Sequence, residues 1–180
     1  GEMPTGDLAY HYAQAGNISK AVEYSLAAAE EELARFSNTE AIKHFSYVLQ
    51  NLPDLPENAE KKRTALEGMG DAYYVKGIFA KAIEVFEGLA DYEKGKGKLR
   101  AYRKAMDAVF FGTNDHSRLE ELARKAEPYA SFDRLENARI RFHRAGNLDI
   151  PETSLIKQRK EFEAALQVFE EEYSLPDIAR

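Results

Sequence analysis

The sequence predicts an all-α chain of antiparallel helical hairpins, and three observations predict it. Apolar residues recur at helical spacing from end to end, with no competing two-residue alternation. Short turn signals interrupt that periodicity again and again. Leu, Ala, Glu, Lys and Arg are abundant while Val and Ile are sparse, a composition that favours helix over strand. At 180 residues, with 44% apolar and 31% charged side chains, the chain can bury a core and coat it.

Turn signals fall at 15–17, 37–38, 53–56, 76–77, 95–97, 112–115, 128–131 and 146–151. They delimit nine expected helices: 6–15, 18–35, 39–52, 57–76, 79–92, 97–111, 116–128, 132–145 and 152–173. Ser19, Thr39 and Ser117 stand near helix starts, where a side-chain oxygen can accept from an orphan backbone amide. Asp115-His116 opens the seventh helix and reads as the same capping chemistry. Gly16, Gly77 and Gly146 stand near helix ends, where a left-handed residue stops the helix. Turns this short send each helix back along the last, which makes hairpins. The break at Asp54-Leu55-Pro56 is longer, but apolar patterning resumes at once, so it reads as a turn and not a domain boundary.

The segment from Leu66 to Leu89 carries Leu66, Met69-Gly70, Tyr73, Gly77, Ala82, Phe86 and Leu89. Gly70 and Ala82 are small where two helices cross closely, and Tyr73 and Phe86 are large enough to fill the space beside the crossing. This spacing resembles the tetratricopeptide repeat. A second copy reads Leu8-Ala9, Tyr12, Gly16, Ala21 and Ala28, with Ser25 in the aromatic position and Tyr24 beside it. A partial third reads Ala41, Phe45, Val48-Leu49 and Pro53, and borrows the helix 18–35 as its first. Looser copies follow at Ala105, Gly112, Leu122 and Ala126, and at Ala138, Phe142, Gly146, Ala165 and Phe169, the last with an insertion at Asp149-Ile150-Pro151. The resemblance implies a right-handed superhelix, an α-solenoid of about four to five hairpins forming a single domain over 1–180. The repeats would run roughly over 6–35, 18–53, 57–92, 97–128 and 132–173.

The run from Leu8 to Pro53, with His11, Ala13, Ala15-Gly16-Asn17, Lys20-Ala21, Glu23-Tyr24, Ala28-Ala29, Glu40-Ala41-Ile42 and Phe45, resembles the repeat region that follows the ATPase module of large signalling ATPases and transcriptional regulators. That resemblance implies a nucleotide-binding domain upstream, with these repeats as sensor, clamp or assembly arm. Helical patterning starts by Asp7 behind Gly1-Glu2-Met3-Pro4, so the sequence reads as a piece of a larger protein.

Composition removes several chemistries. With no Cys there is no disulfide, thiolate metal site or Cys nucleophile, which fits a reducing, cytoplasmic compartment. No apolar run reaches the roughly 20 residues of a membrane span. Gly95-Lys96-Gly97-Lys98 lacks the spacing and preceding strand of a phosphate loop and reads as a flexible turn. His11, His44, His116 and His143 share no metal-ligand spacing, and the triplets 30–32 and 170–172 of glutamate fan around a helix at about 100° per residue. The expectation is a non-catalytic module with no cofactor and no metal.

Net charge is −6, which disfavours nucleic acid as a partner. Lys94, Lys96, Lys98, Arg100, Arg103 and Lys104 still form one basic stretch, and Arg134, Arg139, Arg141 and Arg144 another, so a basic-patch nucleic-acid binder is an alternative. In the tetratricopeptide family the first helix of each hairpin lines a concave groove. Position by position this implies Glu67, Asp71 and Tyr74, then Tyr102, Arg103, Met106 and Phe110, then Asn137, Ile140 and His143 as groove residues for a protein or peptide partner. Members that clamp chaperone tails carry Lys and Asn where this chain has Glu67 and Asp71, so that role is not expected. A small-molecule sensor with an aromatic pocket around Tyr102 and Phe110 is a further alternative. Leu155, Phe162, Leu166 and Phe169 form a stripe that would either face inward or pair with a second copy.

Overall fold

The structure, a computed structural model, describes residues 3–146 and 155–173. Among the described residues there are nine α-helices and no strand: α1 Thr5–Gln14, α2 Ile18–Ala34, α3 Asn38–Asn51, α4 Ala59–Val75, α5 Phe79–Tyr92, α6 Gly95–Gly112, α7 His116–Ala126, α8 Arg134–Ala145 and α9 Leu155–Tyr173. Short 3-10 turns at Pro56–Asn58 and Glu127–Phe132 lead into α4 and α8. The expected insertion at Asp149-Ile150-Pro151 and the first residues of the ninth helix lie outside the described residues. The backbone divides into two compact units, Gly1–Tyr92 and Glu93–Arg180. The Asp54-Leu55-Pro56 turn lies inside the first of them.

In unit 1 each helix packs on the next, so α2 serves both α1 and α3, and it also touches α4. The core is built from Val22, Ala29, Ala41, Phe45, Val48 and Ala65, with Leu26, Leu33, Leu52 and Met69 packed against it. Its two largest buried rings sit on glycines. A Cβ added at Gly68 would lie 2.3 Å from Phe45, and one at Gly70 would lie 2.4 Å from Phe86. The glycines are therefore seats that let α3 and α5 approach α4, which is the small-against-large packing expected at Gly70 and Phe86. Burial of each ring contributes about 1.5–3 kcal/mol. Tyr24, beside the position where an aromatic was expected, stacks on Tyr12 at 5.3 Å, with Lys20 4.9 Å over the Tyr12 ring.

In unit 2 α6 packs on both α7 and α8, and α8 packs in turn on α9. Leu99, Met106, Val109, Leu119 and Leu122 are buried between them. Phe142 of α8 meets Phe162 and Phe169 of α9 at 5.2 and 6.2 Å, so those two members of the α9 stripe face inward.

Three local expectations are corrected. The side-chain caps are Asn17 and Asp115, with Asp133 added for α8, and not Ser19, Thr39 or Ser117. Asn17 accepts from the Lys20 amide and Asp115 from the Arg118 amide, because a cap must stand just before the helix and the serines already lie inside it. Thr39 instead accepts from Lys76 Nζ at 2.7 Å. Gly16 and Gly77 are left-handed, with φ of 72° and 71°, but Gly146 is right-handed at −73°. Its missing side chain leaves room for Phe110, whose ring would stand 2.9 Å from a Cβ there. Gly95-Lys96-Gly97-Lys98 is the first turn of α6 and not a loose connection. Phe36, which ends the α2 turn, takes a left-handed φ of 60° and is 85% exposed.

Candidate functional site

The residues implied to line a groove fall in both units. In unit 1, Glu67, Asp71 and Tyr74 are half-buried on α4, and Tyr74 meets Phe79 edge-on at 5.6 Å. In unit 2, Tyr102, Arg103, Met106 and Phe110 stand on α6, and Asn137, Ile140 and His143 on α8. The packing of α6 on α8 brings part of this second set together. Met106, Ile140 and His143 are 0, 4 and 6% exposed, so as the molecule stands they are interior residues and not an open groove face. The cause is that α6 has two partners and must turn apolar positions toward both. Tyr102 lies 6.4 Å from Tyr129, whereas Phe110 lies among Phe111 and His143, so the two face different neighbours and form no common aromatic pocket.

Where α6 meets α8 a chain of partly buried charges runs from one helix to the other. Arg103 Nε donates to Glu136 Oε2 at 2.6 Å, and its Nη1 donates to Asp107. Asp107 Oδ1 is 2.6 Å from His143 Nε2, and Arg139 reaches Glu136 at 3.3 Å. Burial alone would pull the Arg103 pKa down, but Asp107 and Glu136 outweigh it and hold it above its ordinary value. Arg103 is thus a fixed cation between two acids, and its fork sets the register of α6 on α8. His143 is wedged beside Phe110 at 4.7 Å, and its Nδ1 is buried with no hydrogen-bond partner among the described residues.

Asp133 sets the start of α8. Its carboxylate accepts the Glu136 amide at 2.9 Å and pairs with Lys96 of α6 at 2.7 Å. The Lys96 ammonium and that amide hold its pKa below the ordinary aspartate value. On α7, hydrogen bonds from Lys125 and Arg118 draw exposed Glu121 down to about 2.

With α8 fixed on α6, a cleft of about 740 Å³ opens among α7, α8 and α9. Ala123, Ala126, Ala130, Ile140 and Ala145 give it an apolar, small-residue floor. Its rim carries two interhelical ion pairs, Arg144 with Glu120 at 3.0 Å and Arg141 with Glu161 at 2.6 Å. Asn137, Lys157 and Glu127 complete the edge, and Gln158 of α9 donates to the Ala145 carbonyl. Of the residues implied for the groove, Asn137 and Ile140 line this cleft. Glu120, Arg141, Arg144 and Glu161 were not among them. The sequence signal was the arginine run on α8, whose opposing acids stand on the two neighbouring helices and not in the run itself.

That run is spent inside the molecule. Arg134 pairs with Glu171 at 2.5 Å and Arg139 donates to the Tyr173 hydroxyl at 2.6 Å, beside the two rim pairs. In the other basic stretch Lys96 is held by Asp133, Arg103 by two acids, and Lys98 lies 5.7 Å over the Tyr129 ring. Among the described residues no cluster of His, Asp and Glu could hold a metal ion, and no helix is long and apolar enough to cross a membrane. No protein-family model, curated protein or solved structure matches the chain.

Proposed function

We propose that this chain is a non-catalytic binding module of the tetratricopeptide type, serving a larger cytoplasmic signalling ATPase or regulator, and that the α7–α8–α9 cleft receives a partner's peptide or helix. The cleft carries the proposal. Its alanine floor admits a close backbone approach, and its rim offers cations and carboxylates together, so a partner with a small apolar core and charges of both signs fits it. The ring-on-glycine packing of α3, α4 and α5 supports the repeat reading from unit 1. The ion pairing of the arginine run on α8, and of Lys96 and Arg103 in the other stretch, weighs against a nucleic-acid role, since a phosphate would have to displace carboxylates already in place.

A small-molecule sensor is the second reading, because the cleft volume of about 740 Å³ lies within the range of ligand sites. One selection separates the two. Peptides enriched from a random display library against the intact chain should bind it and fail to bind Ala130→Trp, which fills the cleft from its edge, while circular dichroism of the two proteins is the same. Binders indifferent to Ala130→Trp would sink the cleft as the site. No peptide enrichment, together with a fluorescent apolar probe that Ala130→Trp displaces, would favour the sensor.

A further inference from the structure

On α9, Leu155, Phe162, Leu166, Phe169 and Tyr173 follow one another in steps of seven, four, three and four. Those steps keep them within one narrow stripe of a helix, the seam of a coiled coil. The inward half of the stripe is used: Phe162 and Phe169 rest on Phe142. The outward half is largely open: Leu155 and Leu166 are 54 and 49% exposed, and Tyr173, whose hydroxyl accepts from Arg139, leaves its ring 59% exposed. Partial exposure of so regular a stripe calls for a second helix lying along it.

The charges beside the seam select that helix. At about 100° per residue, Arg159 and Glu170 fall next to the stripe on its outer side, one near each end of α9. The cations of α9, Lys157, Arg159 and Lys160, all stand in its first six residues, whereas its acids run from Glu161 and Glu163 to Glu170, Glu171 and Glu172 at its end. An antiparallel copy of the same helix presents this order reversed. Leu155 then meets Tyr173 of the second copy, Leu166 meets the side of half-buried Phe162 that faces away from Phe142, and Arg159 meets Glu170, each pairing occurring twice about the two-fold axis. A parallel copy would set Arg159 against Arg159. Within one chain Arg159 pairs with Glu163 at 2.7 Å, but both side chains are more than half exposed, so the pair is screened and readily shared.

We infer that the open flank of α9 is a self-association surface, and that its occupant is a second copy of this chain with α9 antiparallel to α9.

Sedimentation equilibrium of the whole chain over two decades of concentration should show a reversible monomer–dimer equilibrium. Leu166→Glu should leave only monomer. Arg159→Glu and Glu170→Arg should each weaken the dimer on the order of tenfold or more, because each reversal acts at both symmetric pairs. The combined Arg159→Glu/Glu170→Arg chain should recover most of that loss. A monomer throughout the range, or a combined variant no tighter than either single one, would overturn the inference; the former would leave the flank to another domain or protein. The chain has no cysteine, which permits a second measurement independent of those reversals. Oxidising a mixture of Arg159→Cys and Glu170→Cys chains should cross-link one to the other. Disulfide-linked Arg159→Cys homodimers in place of the mixed species would mean parallel pairing and would also overturn it.

Discussion

The two units solve one packing problem with different materials. Unit 1 brings its helices together by seating buried rings on glycines, Phe45 on Gly68 and Phe86 on Gly70, and buried Lys62 is answered by Asp54 at 2.9 Å. Unit 2 joins its helices with ions. Arg103 and Glu136 lock α6 to α8, Asp133 ties the same two helices at Lys96, and Arg141 and Arg144 reach α9 and α7. Apolar seats are indifferent to pH and salt, whereas ion pairs respond to both. The difference teaches that helical hairpins of similar outline can answer quite differently to the same change of solvent.

The largest test of that contrast is Arg103→Met. It removes the cation shared by Glu136 and Asp107, leaving Arg139 beside the first and His143 beside the second, and should cost about 3 kcal/mol, the low end for breaking a buried pair. Hydrogen exchange should show amides of α6 and α8 losing protection while those of α4 and α5 keep it. Equal loss in all four helices would break the contrast. Gly70→Ala is the converse, driving a methyl into the Phe86 ring at a cost of about 1–3 kcal/mol, with the protection lost first in α4 and α5.

Acid provides the third. The Asp133 pKa is lowered in the fold by Lys96 and the Glu136 amide, so its contribution is complete above the ordinary aspartate value, about 3.9, and disappears as the pH falls from there through the lowered one. Helicity of α8 should therefore fade first below about pH 4. Asp133→Ala should remove about 1 kcal/mol at neutral pH and flatten that part of the acid profile, followed by circular dichroism. The smallest effect belongs to Phe36. Its left-handed backbone costs about 1–2 kcal/mol, and Phe36→Asn, which tolerates that conformation, should raise stability to urea by about 0.5–1 kcal/mol.

Helix number and extent were legible in the sequence because they depend on local periodicity, and the observed helices begin and end close to the expected residues. The caps were legible only in type. Asp115 caps α7 as expected, but Asn17 does what was assigned to Ser19, since patterning does not locate the last non-helical residue to within two positions. The site was least legible. A residue's place on a wheel tells which side of a helix it occupies, not which neighbour that side meets. Met106 and His143 were thus read as groove residues although the fold buries both. Glu136 went unread because Arg103 is brought to it only by the fold, whereas Asp107 stands four residues from Arg103 on the same helix and was within reach of the sequence.

Unit 1 has a further property that follows from counting. Among its described residues it holds five helices, α1 to α5, each reversing on the last, and five is odd. Thr5 and Tyr92 therefore fall toward opposite ends of the helices, a span on the order of one helix length, roughly 20 Å for the 14 residues of α5. An even stack would return the backbone to its side of entry and could hang from a host as a loop. An odd one lies in series with it. A pull on its two ends runs along the helices and loads their interfaces in shear, with Phe45 and Phe86 acting as pegs in the glycine seats, so the ring-bearing pairs must slip together and cannot be peeled apart one at a time.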